Sequence, residues 1–120
     1  MCMGTIVMGG IRKLHVAARD KYCGALHYLE YDPWMKSKKT EVYLETGELE
    51  AVQLAWQGYH ELRRYDGKIS KVLKEFQKDC PKSIDVAIEM YQERYLDKCV
   101  ERGISCREIY DFVCNLLKEI

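Results

Sequence analysis

The chain has 120 residues, a length that suits one domain whose core can bury roughly two thirds of the surface that the unfolded chain exposes. Nineteen basic and nineteen acidic side chains cancel, so the net charge provides no general attraction to nucleic acid or to an anionic membrane. No apolar run approaches the roughly twenty residues that span a bilayer, which argues against a transmembrane helix.

Charge is distributed unevenly along the chain. Residues 1–40 contain seven Lys or Arg against three Asp or Glu, a balance of +4, and the remaining residues carry −4. Such an arrangement would steer a charged partner, although scattered surface charges often produce a similar imbalance.

Six cysteines are spread through segments that have the apolar pattern of a core. They are Cys2, Cys23, Cys80, Cys99, Cys106 and Cys114. The first residues lack the charged and apolar regions of a secretory signal, so we expect reduced thiols that pack as small hydrophobes in the cytoplasm.

The amino-terminal third predicts a short extended segment followed by a long helix. Thr5 to Met8 suits a strand or an extended arm, and the following glycine pair would end it. Apolar residues at helical spacing then predict a first helix over 11–29. Gly24 would lie inside this helix at a cost of up to about 1 kcal/mol, which predicts a kink or a close contact there.

Residues 31–46 form the longest predicted connection. Pro33 disfavours helical geometry at Asp32, and alternation over 41–45 predicts a short strand that could pair with residues 5–8. A long connection in a compact domain is typically functional or mobile, so this segment is the first place to expect a contact surface.

Two helices are predicted in the middle of the chain. Thr46 is the expected N-cap of the second helix, which should end near Tyr65 because Asp66 and Gly67 form a turn signal. The third helix is predicted over 68–78.

The residues from 83 to 120 predict a helical hairpin. Ser83 is the expected N-cap of its first helix, and Gly103 suits the left-handed residue that ends it. Ser105 and Glu108 have the spacing of a capping box at the start of the last helix. Together these segments predict a mainly all-α single domain over 1–120, a bundle of about five helices with a minor two-stranded β element.

The hairpin turn has the skeleton of a helix-turn-helix motif. Small and apolar residues flank Gly103 at the spacing of that motif, but Lys98 and Arg102 occupy positions where it wants apolar packing. The preceding helix is predicted to be about twice the usual length, and the outward face of the last helix is rich in acid. A nucleic-acid-binding regulator therefore stays an alternative, with candidate contacts from Arg107, Tyr110 and Asn115.

The sequence contains no complete metal or catalytic motif. Cys23 and His27 are four residues apart on the first predicted helix, but two ligands do not make a metal site. His60 and Glu61 lack the second histidine of a zinc protease motif, because Arg64 stands there. We expect no cofactor, and a small cysteine-dependent enzyme stays open because a lone nucleophile has no sequence signature.

Aromatic residues beside lysines are the strongest functional signal. Nine tyrosines and two tryptophans are many for this length, and such side chains favour protein interfaces. The predicted partner-binding residues are Tyr28, Tyr31, Trp34, Lys36, Lys38, Lys39 and Tyr43. The alternative interpretation of Trp34 is a lid that folds back on the bundle.

We therefore expect a non-enzymatic adaptor or inhibitor that binds another protein. A regulator of this size would suit a phage or another mobile element. A homodimer is also possible, because Val113 beside Leu116 and Leu117 places apolar groups on more than one side of the last helix.

Overall fold

The computed structural model describes residues 2–19 and 24–119. Eight helices and two strands lie in these residues, which confirms the mainly all-α class with a minor β element. The chain forms two compact units, residues 1–45 (unit 1) and residues 46–120 (unit 2), and each is described by itself. The single-domain assignment stays a prediction. In the described part of the chain, no helix is both long and apolar enough to cross a membrane.

Unit 1 contains three short helices and both strands. Its small core consists of Met3, Val7 and Leu29, with partly buried apolar side chains around them. The elements in chain order are α1 (Cys2–Met8), β1 (Lys13–Val16), α2 (Tyr28–Tyr31), α3 (Pro33–Ser37) and β2 (Glu41–Leu44).

The two strands pair in parallel, from Lys13 with Glu41 to Val16 with Leu44. The predicted strand at 41–45 is therefore confirmed, but its predicted pairing with residues 5–8 is wrong. Those residues belong to α1, because Met3 and Val7 are four positions apart and reach the core from one helical face. The Gly9 amide then donates to the carbonyl of Thr5 at the end of the helix.

The predicted helix over 11–29 is wrong for most of its length. Leu14 and Val16 alternate with exposed Lys13 and His15, which is the period of a half-buried strand. Among the described residues that follow β1, the next helix is α2, and Gly24 lies outside any helix. Residues 20–23 of the predicted helix lie outside the described residues.

The connection over 31–46 is also more regular than predicted, because Pro33 begins a helix. Asp32 itself is extended, which confirms the predicted effect of Pro33 on the residue before it. Pro33 occupies the first position of α3, where proline needs no amide partner. The Asp32 carboxylate accepts a hydrogen bond from the Met35 amide at 3.0 Å and caps this helix.

Unit 2 is entirely helical in its described residues. Its main core cluster contains Tyr59, Met90 and Val113, and the two helices that carry Gly58 and Ala87 pack closely where these residues face each other. The elements are α4 (Glu48–Arg64), α5 (Lys71–Asp79), α6 (Pro81–Gln92), α7 (Tyr95–Arg102) and α8 (Cys106–Glu119).

The predicted boundaries of these helices are partly confirmed. Gly103 adopts a left-handed conformation, and the Ser105 hydroxyl accepts a hydrogen bond from the Glu108 amide at 3.2 Å. The N-cap predictions at Thr46 and Ser83 are wrong. Gly47 precedes α4, and α6 begins at Pro81, so Ser83 is buried and donates to the carbonyl of Ala51 at 2.8 Å. The third helix begins three residues later than predicted, behind the N-cap Ser70.

The predicted single helix before Gly103 is broken at residues 93–94, where Arg94 is left-handed. The Tyr59 hydroxyl donates to Asp97 at 3.1 Å, and Arg63 forms an ion pair with the same carboxylate at 3.2 Å. These two contacts hold α7 against α4, so α7 does not continue α6 as one helix. Because α7 has only eight residues, the length argument against a helix-turn-helix is wrong, although the acidic outward face remains.

Candidate protein-binding surface

Large aromatic side chains of unit 1 are exposed in the region that the sequence singled out. Exposed fractions are 51% for Tyr28, 76% for Tyr31, 44% for Trp34 and 42% for Tyr43. When a partner covers exposed rings of this size, the burial of their apolar surface favours binding.

Tyr28 and Tyr31 come together around a third ring. The His27 ring lies 4.3 Å from the Tyr28 ring and 6.3 Å from the Tyr31 ring, measured between centroids. Only Leu29 of α2 is buried, so one turn of helix anchors in the core and presents its other residues outward. The sequence did not indicate His27 as part of this cluster, although its position directly before Tyr28 was a signal.

Trp34 lies on α3 beside a lysine. The Lys38 ammonium is 5.2 Å from the centre of the indole ring, within the range of a cation–π interaction. The ring is 44% exposed, more than expected for a lid that covers a core. Lys38 thus holds the ring in place while both groups stay accessible.

The three predicted lysines stay available to an acidic partner. Lys36 and Lys39 are exposed, and none of the three forms an ion pair with another described residue. Lys38 is the C-cap of α3, and Lys39 adopts a left-handed conformation directly after it. The end of α3 therefore combines positive charge with the negative pole of the helix, an arrangement that also stabilises the helix.

Tyr43 belongs to a different group of side chains, on the polar face of the sheet. Its ring stacks on His15 at 4.8 Å, and its hydroxyl donates to Glu41 at 2.7 Å. His15 Nδ1 lies 2.8 Å from the Glu45 carboxylate. The hydrogen bond to Glu41 and the charge of that carboxylate raise the pKa of Tyr43 above its usual value. The predicted set is therefore not one cluster.

A groove of about 840 Å³ runs along the other face of the sheet. Apolar side chains dominate its wall, with Arg19 and Glu30 among the polar exceptions. The apolar lining residues of the sheet and of the segment around α2 are Val16, Leu26, Leu29, Val42 and Leu44. The volume falls within the range of roughly 300–1,000 Å³ that ligand sites occupy.

Unit 2 has a smaller cavity of about 460 Å³ between the first turns of α4 and α6 and the last turn of α8. Cys80 and Cys114 contribute to its wall. Burial, together with hydrogen bonding to Glu48 and its negative charge, raises the pKa of the Cys114 thiol. This shift opposes formation of a thiolate, which a cysteine nucleophile requires.

The three residues predicted for the nucleic-acid alternative have different surroundings. Arg107 is exposed and 3.5 Å from Asp111, so an acidic side chain already accompanies its charge. The Tyr110 hydroxyl turns toward α4 and donates to Glu48 at 2.9 Å, whereas Asn115 is exposed. The hydrogen bond to Glu48 raises the pKa of Tyr110 to about 12.

The apolar residues that suggested a second chain are accounted for within unit 2. Val113 is fully buried in the main core cluster, and Leu116 and Leu117 pack against that cluster. The described residues contain no group of three or more metal-ligating side chains. Cys23, the predicted neighbour of His27, lies outside the described residues.

Comparison with known proteins gives no relative from which a function could be transferred. No family model matches the chain, and neither a curated protein nor a solved structure matches it.

Proposed function

We propose that the chain is a small non-enzymatic regulatory protein, an adaptor or inhibitor, that binds another protein through residues 28–39 of unit 1. We call these residues the aromatic–basic segment. The observation that carries the proposal is the exposed Trp34 ring beside Lys38, with exposed tyrosines before it and, after it, lysines that form no ion pair with a described residue.

The segment combines the side chains that concentrate binding energy at interfaces. Tryptophan and tyrosine provide large contact area with few rotatable bonds, and they are enriched among residues whose removal costs about 2 kcal/mol or more. Lys36, Lys38 and Lys39 would favour a partner surface with acidic residues around an apolar pocket. The partner we infer is therefore an acidic protein surface, met in the cytoplasm where the thiols stay reduced. The small size suits a regulator from a phage or another mobile element.

Capture of a partner from a native lysate tests the proposal. We expect one stoichiometric partner on the unmodified chain and a loss of affinity of about 30-fold for Trp34→Ala, which corresponds to about 2 kcal/mol. Lys38→Glu should also weaken capture, because the new negative charge would repel an acidic surface. This loss should be larger at lower ionic strength, where the repulsion is less screened.

Unit 2 offers matched controls for both variants. Tyr65 is also 44% exposed, with the Arg64 guanidinium 5.4 Å from its ring, so Tyr65→Ala removes a similar exposed pair. Lys74→Glu changes an exposed lysine of α5 by the same two charges. Equal loss of capture with the control variants, or none with the variants of the segment, would contradict the proposal.

A further inference from the structure

The sheet of unit 1 ends at β2, whose outer edge pairs with no strand of the described residues. Parallel sheets normally have more strands and cover both faces, whereas the described residues form a sheet of two strands only. Exposed edges of this kind are templates for pairing with another chain.

The hydrogen bonds of β2 identify the groups that point to this edge. The Glu41 amide donates to the carbonyl of Arg12 at 2.7 Å, and the Glu45 amide donates to that of Val16 at 2.8 Å. In a parallel ladder, alternate residues direct both backbone groups to the same neighbour. Val42 and Leu44 therefore direct their amides and carbonyls to the opposite edge, where no described strand pairs with them.

The side chains of the same two residues line the groove of about 840 Å³. Leu14 packs against the core cluster, but its register partner Val42 is 37% exposed, and Leu44 is half-buried. The edge that no described strand covers thus borders the groove, and one added strand would supply hydrogen bonds to this edge and apolar contacts to Val42.

Charge on the other face of β2 distinguishes between possible occupants. Glu41 and Glu45 flank Tyr43 there. If a second copy paired antiparallel about Tyr43, Glu41 of each copy would lie opposite Glu45 of the other. Like charges directly opposite one another destabilise a pair of strands, whereas opposite charges stabilise it.

The geometry points to the outer edge of β2 as the site that accepts an extended segment of a partner protein as a third strand. The segment has apolar side chains toward the groove, alternating with basic side chains opposite Glu41 and Glu45. This inference rests on the proposed protein-binding function and specifies how a partner chain is held, with a basic extended segment of the partner on the edge of β2 and an acidic surface of the same partner on the aromatic–basic segment. Backbone hydrogen bonds to Val42 and Leu44 provide affinity, and the alternation of side chains provides specificity.

A capped peptide of about six residues that alternates lysine and valine is a direct probe. In the free protein, the Val42 and Leu44 amides should exchange their hydrogens rapidly, whereas the Tyr43 amide should be protected by its pairing with β1. Addition of the peptide should slow exchange at Val42 and Leu44 by about tenfold or more. The same peptide with glutamate in place of lysine is the charge control and should leave exchange unchanged.

Methylated versions of the peptide test the backbone contacts on the unmodified protein. In antiparallel pairing the valine amides face β2, and in parallel pairing the lysine amides do. Methylation of one set of nitrogens should abolish binding, while methylation of the other set preserves it. A one-residue slip cannot rescue the blocked peptide, because it would turn lysine toward the groove. Tolerance of both patterns would overturn the inference.

A protein variant separates this inference from the proposed function. Val42→Pro removes an edge amide without removing a hydrogen bond to β1, and proline is compatible with an edge strand. It should abolish both peptide binding and capture of the native partner. Capture that depends on Trp34 but survives Val42→Pro would refute strand addition and leave the proposed function standing. Peptide binding with the expected methylation pattern, without any captured partner, would support the edge site and count against the proposed function.

Discussion

At the scale of single residues, Glu48 connects two ends of unit 2. Its carboxylate accepts a hydrogen bond from Tyr110 at 2.9 Å, and hydrogen bonds from Tyr110 and Cys114 lower its pKa. Its position in the first turn of α4 adds a favourable interaction with the helix dipole. One surface carboxylate thus links the start of α4 to the middle of α8.

Glu48→Gln should lower the pKa of Tyr110 from about 12 toward its ordinary value of about 10, because the nearby negative charge is removed. The stabilising contribution of the protonated phenol is complete below pH 10 and is lost as pH rises through about 12. The contribution of Glu48 itself is present above pH 4.5 and is lost as pH falls through its lowered pKa. Tyrosinate absorbance during an alkaline titration measures the shift.

Glu50→Gln is the control for this titration. Glu50 lies in the same first turn and loses the same charge, but its carboxylate lies 3.8 Å from the Cys80 sulfur and not beside Tyr110. An equal shift in both variants would indicate a general effect of charge and contradict the specific contact.

At the scale of helices, the contact between α4 and α6 depends on Gly58. A Cβ atom at this position would lie 2.9 Å from Ala87 Cβ and 3.2 Å from Ile84 Cδ1. Both neighbours are fully buried, so neither has free space to move into. The absence of one methyl group therefore sets the distance between the two helices.

Gly58→Ala should destabilise unit 2 by up to about 2 kcal/mol. Overpacking costs about 1–3 kcal/mol and exceeds the gain in helix propensity of about 1 kcal/mol. Urea unfolding followed by circular dichroism measures the change in the free energy of unfolding. Gly4→Ala in α1 is the control, because no atom lies within 4 Å of its Cβ position, and it should stabilise α1. Destabilisation by both substitutions would contradict the packing argument.

Helices whose ends are set by neighbouring residues were predictable from the sequence. Ser105 and Gly103 define the turn before α8 within a few positions, so pattern alone identified it. The break at Arg94 was not predictable, because Asp97 is held there by Tyr59, 38 residues earlier.

The same limit applies to the candidate site. The sequence indicated exposed rings beside lysines, but the separation of Tyr43 from the other rings depends on strand pairing with residues 28 positions earlier, which no local pattern contains.

At the scale of the whole molecule, the two units have separate cores of very different size. Among the described residues, unit 1 buries three hydrophobic side chains and unit 2 buries fourteen. Because stability rises with the apolar surface that is buried, unit 1 should open at a lower denaturant concentration than unit 2.

The two tryptophans report on this difference, since Trp34 lies in unit 1 and Trp56 in unit 2. In Trp56→Phe the fluorescence transition should follow unit 1, and in Trp34→Phe it should follow unit 2 at higher urea concentration. Circular dichroism of the unmodified chain should show both transitions. Coincident midpoints in all three experiments would mean that the units unfold as one cooperative body, contrary to this prediction.

The parallel pairing of β1 with β2 also determines the order in which unit 1 assembles. Every register pair joins residues 28 positions apart, as in 13 with 41. The chain must close this loop before any bond of the sheet forms. We therefore expect the sheet to be the last part of unit 1 to form. Closure entropy grows slowly with length, so doubling the connection would cost the folded sheet only about 0.6 kcal/mol.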